Sequence, residues 1–330
     1  MPSLWRRWFG RAGDATTAIT AGRLRSGSAF SWRGWLPSAP FRRPRRDYVL
    51  YVPRNASRWR ALPLIVLCHG CKQTPEEILA GTRIGELADR LPAYVLMPRQ
   101  HRSANEWHCW NWFDTRTAAG NGEAAIVVAM MHKATRFRRI DRPRTIAAGM
   151  SAGAALAAIL GIRYPDQVRG VFSHSGLASG AASSPFTAMT VMRRGPDTDI
   201  VAIAHEARAA SGTDRPVALL AVVGCADELV APRNSSALAR QYLAFNGVAV
   251  PEGAQSSLPP AERDERDSTD YHHAMRIREW NRDGVPLVRL VEIDGLSHAW
   301  SGGDPAVPLH DGKTPDATVM LEEWLASRPR

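Results

Sequence analysis

Seven short apolar runs punctuate the chain, at residues 48–52, 62–68, 93–97, 145–148, 168–172, 217–223 and 287–293. Most are apolar at consecutive positions, as strands buried on both faces are. Segments of helical character lie between them, at 75–90, 123–137, 154–162, 233–245 and 317–326. The first opens on Thr74-Pro75-Glu76-Glu77, which offers an N-cap hydroxyl, a proline at the first helical position and acids in the first turn. Strand runs alternating with helices predict an α/β fold, a mostly parallel sheet covered by helices on both faces. Three stretches break the pattern. Residues 98–122 read as a long loop rich in Trp, Asn and His. Residues 179–216 are expected to cap the sheet's functional edge, and the charge-dense 251–284 to be a solvated insertion loop.

At 330 residues and 45% hydrophobic, the chain can bury a large core as one α/β unit, expected over 47–330. Charge changes the picture at the N-terminus. Residues 1–46 hold ten arginines against Asp14 alone, so +9 of the net +10 belongs to them. Trp5, Trp8, Trp32 and Trp35 lie among those arginines. The segment reads as a basic extension. It could attach to an anionic surface or polymer granule, or be a partly helical arm with a solvated face. No specific nucleic-acid binding is expected. Arg11, Asp14 and Arg23 interrupt any apolar signal-peptide core, so no export signal is recognisable. Four cysteines are too few for a disulfide scaffold, and His101, His108 and Cys109 lack metal-site spacing, so no metal is expected.

The chemistry concentrates at Gly149-Met150-Ser151-Ala152-Gly153, a G-x-S-x-G between a strand run and an alanine-rich helical run. A strand, a tight turn and a helix place a serine hydroxyl above the sheet, with the helix N-terminus aimed at the same spot. The uncharged stretch 145–162 could alternatively be read as a membrane span with a G-x-x-x-G face. Its composition and the meeting of strand-like and helix-like halves at Ser151 favour the turn, and the chain is not expected to be transmembrane.

An activated serine needs a general base, and the base needs a carboxylate to fix its tautomer. Asp227 is the first acid after the strand run 217–223, with Glu228 as its neighbour and competitor. His298 follows the last strand run in a loop of small residues, 294–303. Ser, Asp, His is the chain order of an α/β-hydrolase triad. His174, just after another strand run, is the weaker alternative base. An oxyanion hole takes one N–H from Ala152, after the nucleophile, and one from Cys71, in the turn after residues 62–68.

At these residues the chain resembles the polyhydroxybutyrate-depolymerase family of esterases, α/β-hydrolases related to feruloyl and acetylxylan esterases. The matching pieces are Y-V-L-Y-V-P (48–53), L-C-H-G-C-K-Q (67–73), C-W-N-W-F (109–113), G-M-S-A-G (149–153), G-C-A-D (224–227) and G-L-S-H-A-W-S-G-G (295–303). The resemblance implies an α/β-hydrolase fold and a cofactor-free serine esterase with Ser151 as nucleophile, Asp227 as orienting acid and His298 as base. Its substrate would be a polyhydroxybutyrate-type polyester or hydroxyalkanoate oligomer, with feruloyl or acetyl-sugar esters as the alternative. A role in another class, surface binding through the basic extension, remains the competing reading. The resemblance also implies a Cys71–Cys109 disulfide, against two free thiols in a reducing compartment. It implies an exported enzyme, with a cytoplasmic one as the alternative. Trp110, Trp112 and Trp300 flank the expected site, as a wall for substrate or as braces of the loops.

Overall fold

The computed structural model describes residues 22–34, 45–251, 253, 257–268 and 272–328. Ten strands form one sheet: β1 (Arg23–Phe30), β2 (Arg45–Val52), β3 (Leu62–Cys68), β4 (Tyr94–Pro98), β5 (Ile140–Met150), β6 (Gly170–His174), β7 (Ala218–Gly224), β8 (Arg263–Asp267), β9 (Met275–Arg282) and β10 (Val285–Ile293). Their order is β1-β2-β4-β3-β5-β6-β7-β10-β9-β8. The six strands from β4 to β10 in that order run parallel, and an antiparallel pair closes each side. The expected α/β-hydrolase fold, a mostly parallel sheet with helices on both faces, is the one observed.

The consecutive apolar runs are explained by burial on two sides. In β3, Leu62, Leu64, Val66 and Cys68 enter the core on one face, while Ile65 and Leu67 enter the core on the other. Strand β7 divides the same way, Leu219, Ala221 and Val223 against Ala218, Leu220 and Val222. Helices α1 (Pro75–Thr82), α2 (Ile84–Arg90) and, near the C-terminus, Ala317–Ala326 cover the second face. The first face is covered by α4 (Gly122–Thr135), which follows the short α3 (Thr115–Ala118), and by α5 (Ala152–Arg163), α6 (Pro185–Arg194), α7 (Ile200–Ser211) and α8 (Arg233–Phe245). Thr74 caps α1 with a reciprocal Thr74–Glu77 capping box. The single helix expected to Arg90 is two, because Arg83 takes a left-handed conformation between α1 and α2.

Three sequence expectations are corrected. Residues 1–46 are not wholly an extension, since β1 pairs with β2 along its full length. Only Ala29 of β1 is buried, so the backbone ladder holds this strand and its side chains gave no apolar pattern. Residues 1–21 and 35–44, including Trp5, Trp8 and Trp35, lie outside the described residues. The expected cap at 179–216 contributes α6 and α7. They bury Ala188, Val191, Ile200, Val201 and Ala204 in the core shared with α8, and so belong to the helical layer. The expected insertion loop contains β8 and β9. Its charges pair, Arg276 with Asp264 at 2.7 Å and Arg278 with Glu292 at 2.9 Å. A solvated sheet face accounts for that density of charge.

Candidate active site

Parallel strands send their carboxyl ends to one edge, and the loops that leave β3, β5, β6, β7 and β10 meet there. Ser151 follows β5 with φ 56° and ψ −123°, a strained turn for a residue with a side chain. Its N–H donates to the His174 carbonyl at the end of β6 (2.9 Å). The motif's small residues are needed for this geometry. A Cβ at Gly153 would lie 2.1 Å from the Cys68 carbonyl oxygen and 2.5 Å from that of His69. Ala152 begins α5, whose residues Ala152 to Ile162 are all buried; this run of small side chains lets the helix lie close on the sheet.

The turn after β3 faces Ser151. A Cβ built on Gly70 would be 3.7 Å from the Ser151 Cβ. Several bonds hold this turn. Gly70 N–H donates to Gln73 Oε1 (2.9 Å), and His69 uses both ring nitrogens, Nδ1 to the Gly70 carbonyl (2.8 Å) and Nε2 from Gln100 N–H (3.2 Å). Burial pushes the His69 pKa down to about 4, so the ring is neutral and its tautomer set. Cys71 and Cys109 are joined by a disulfide with 4.1 Å between their Cα atoms. Among the described residues, no protein group accepts from the N–H of Cys71 or Ala152. Two unsatisfied donors flanking a strained serine can stabilise an oxyanion.

Asp227 and His298 come together from loops that touch along their length. Cys225 N–H donates to the Ile293 carbonyl (2.8 Å) and Ala226 N–H to that of Leu296 (3.0 Å). The approach is so close that a Cβ on Gly224 would lie 2.1 Å from the Leu296 oxygen. His298 Nδ1 then donates to Asp227 Oδ2 at 2.7 Å, both residues being buried. Asp227 Oδ1 accepts from the N–H groups of Leu229 (3.0 Å) and Val230 (2.8 Å). Burial opposes the Asp227 charge. The hydrogen bond and charge of His298, with a further bond from Val230 N–H, outweigh it and hold the carboxyl below its usual range. Glu228, the neighbouring acid, is exposed.

The tryptophans are not placed as a substrate wall. Trp110 is 1%, Trp112 4% and Trp300 0% exposed. Trp110 Nε1 donates to the His69 carbonyl (3.1 Å), and Trp300 Nε1 to Thr318 Oγ1 (3.0 Å). Their indoles brace the loops from beneath. Sequence reasoning missed Glu123, a buried carboxylate that collects Gln100 Nε2 (2.5 Å), Asn111 N–H (2.7 Å) and Asn111 Nδ2 (2.9 Å) and so organises the Trp-rich loop. A lone acid in the first turn of an apolar helix was the available signal. His174 was weighed only as an alternative base; its carbonyl in fact accepts from Ser151 N–H.

The sequence profile of the family described as esterase PHB depolymerase matches residues 46–265. The chain belongs to that family. The family match includes Ser151 and Asp227 and ends before His298. A poly(3-hydroxyalkanoate) depolymerase C of Paucimonas lemoignei is 28% identical over 260 residues, which cover 78% of this chain and 57% of that protein. A poly(3-hydroxybutyrate) depolymerase of Ralstonia pickettii is 24% identical over 272 residues, covering 76% of this chain and 50% of that protein. The chain spans about half the length of these curated relatives. Among solved structures, an acetyl xylan esterase from Aspergillus awamori superposes with a TM-score of 0.68 at 18% identity, over 92% of this chain and 99% of that one. That likeness is one of fold. Among the described residues, no helix is long and apolar enough to cross a membrane.

Proposed function

We propose that the protein is a serine esterase that hydrolyses carboxylic esters, with polyhydroxybutyrate-type polyester or hydroxyalkanoate oligomers as its substrates. The observation that carries this reading is the 2.7 Å bond between His298 Nδ1 and Asp227 Oδ2, at the sheet edge where Ser151 stands on its strained turn. Family membership supports the ester as the bond cleaved, and the names of the two depolymerase relatives support the substrate class.

The chemistry follows from the placement. Asp227 holds the His298 proton on Nδ1, which leaves Nε2 to take the proton of Ser151 as its Oγ attacks the ester carbonyl. The oxyanion forms between the N–H groups of Cys71 and Ala152. His298 returns the proton to the departing alcohol. Water, deprotonated by the same nitrogen, then releases the acid from Ser151.

A hydrolysis panel on the full chain tests the reading: hydroxybutyrate oligomers, p-nitrophenyl esters of graded acyl length, feruloyl esters and acetylated xylan. The oligomers and short p-nitrophenyl esters are expected to be cleaved, with no cleavage by Ser151→Ala. Preference for feruloyl or acetyl-sugar esters would replace the polyester assignment and keep the triad. The likeness in fold to an acetyl xylan esterase keeps that second reading in the panel. Attachment of the basic N-terminal segment to an anionic surface or granule belongs to the same proposal. Glutamine in place of Arg6, Arg7 and Arg11 is expected to weaken granule association and leave ester hydrolysis unchanged. Unchanged association would end that part.

A further inference from the structure

The amino ends of the parallel strands form a second edge, opposite the one that carries Ser151, and charge is concentrated there. The loop before β3 and the loop between α4 and β5 meet at this edge. Leu62 N–H donates to the Arg139 carbonyl (3.1 Å), and Arg139 Nη1 to the Trp59 carbonyl (3.2 Å). Residues 53–61 and 133–144 together carry nine Lys and Arg against Asp141 alone. That acid is already paired with Arg144 at 2.8 Å. Residues 47–330 have a net charge of +1; these two stretches supply +8 of it, which leaves the remainder at −7. Arg58, Arg60, Arg136, Arg139 and Arg142 are exposed, and among the described residues no carboxylate pairs with any of them.

Two aromatic rings stand among these arginines. Trp59 is 72% and Phe137 83% exposed, so the fold gains little from burying either. A guanidinium lies over each ring, Arg58 Cζ at 4.6 Å from the Trp59 centroid and Arg136 Cζ at 5.2 Å from that of Phe137. The N-terminal chain joins at the same edge. Arg23, the first residue of β1, is in register with Val52, which directly precedes the loop before β3. The segment that carries Arg6, Arg7 and Arg11 therefore enters the fold beside this surface.

We propose that this amino edge is a docking surface for an anionic lipid bilayer. The proposal goes beyond the esterase reading and does not depend on it. A bilayer meets both halves of the chemistry: phosphate headgroups take the unpaired guanidinium groups, and the two rings enter the boundary between headgroups and acyl chains. Single-stranded nucleic acid would stack its bases on open ring faces, and here each ring already has a guanidinium over one face. The seven residues of β3 span about 20 Å, so a molecule docked this way holds Ser151 away from the lipid and open to substrate from solution.

The test is co-sedimentation of the full chain with phosphatidylcholine vesicles, with and without phosphatidylglycerol. Binding is expected only with phosphatidylglycerol and is expected to fall as salt rises. Glutamine in place of Arg58, Arg60, Arg136 and Arg142 should weaken it by roughly 100-fold, and Trp59→Ala with Phe137→Ala by roughly tenfold. Both variants should keep the wild-type kcat/KM on p-nitrophenyl butyrate in the absence of vesicles. Hydrogen exchange on the unaltered protein supplies a readout that no variant's folding affects. Phosphatidylglycerol vesicles should slow exchange in residues 53–61 and 136–142. Wild-type binding by the four-glutamine variant, or protection confined to other segments, would overturn the proposal. So would loss of binding only when Arg6, Arg7 and Arg11 are replaced, which would place the contact in the N-terminal segment alone. Tighter binding to a single-stranded oligonucleotide than to the vesicles would overturn it in favour of nucleic acid.

Discussion

His298 donates from Nδ1 to Asp227 Oδ2 across 2.7 Å, although 71 residues separate them in the chain. The contact exists because β7 and β10 are parallel neighbours, so the loops leaving their carboxyl ends start side by side. An acid fixed by two backbone N–H groups has little freedom to turn away, and the imidazole inherits that order. Asp227→Asn would keep the shape and lose the charge. Its kcat on a soluble ester is expected to fall by roughly 10⁴-fold with KM little changed, as when a triad carboxylate is replaced elsewhere. Steady-state kinetics checks it, and a loss under tenfold would remove Asp227 from the mechanism.

Gly153→Ala tests the turn rather than the chemistry. The added methyl would fall 2.1 Å from the Cys68 carbonyl, and neither the strand nor the helix start can yield without moving Ser151. Overpacking of this kind destabilises by about 1–3 kcal/mol, and the displaced nucleophile should lose activity well beyond the loss of fold. Chemical denaturation and kcat, measured together, separate the two effects.

The Cys71–Cys109 disulfide closes a loop of 38 residues and fixes the turn that presents Cys71 N–H. Loop closure of that length contributes about 4 kcal/mol in the chain-entropy description. Cys109→Ser should therefore lower thermal stability. It should also lower kcat more than it raises KM, since the oxyanion donor acts in the transition state. Retention of full kcat at a temperature where the variant is folded would show that the turn holds its shape without the bridge.

Acid should unfold the protein partly through two histidines. His69 and His174 are buried neutral, with pKa values pushed down to about 4 and about 3, against about 6.5 in an unfolded chain. Below about pH 6.5 the unfolded state takes up protons that the folded state refuses, so stability is lost as pH falls. The loss continues until the pH nears the folded values, and amounts to a few kcal/mol at most for each ring. The melting temperature should fall steadily from pH 7 to pH 4, and His69→Gln should flatten that slope. An equal slope in the variant would assign the acid sensitivity to other groups.

The sequence carries the parallel core of the sheet because β3, β6 and β7 must be apolar on both faces, and consecutive apolar residues say so. It carries the triad candidates because each directly follows such a strand. What it hid has physical reasons. Strand β1 is held by backbone bonds, and its arginines face water. The charges of β8 and β9 look like those of a loop until their cross-strand partners are known. Asp283-Gly284, both at positive φ between β9 and β10, was a legible hairpin signal. Trp110, Trp112 and Trp300 were ambiguous because an aromatic beside a site can line it or brace it, and only burial separates the two.

The most direct measurement of the central claim is site-resolved trapping of the nucleophile. The full chain is treated with a fluorophosphonate ester and digested, and the modified peptide is located by mass spectrometry. A single adduct on Ser151, lost in Ser151→Ala and formed far more slowly in His298→Ala, is the expected result. No adduct, or one on another serine that persists in Ser151→Ala with ester hydrolysis intact, would contradict it.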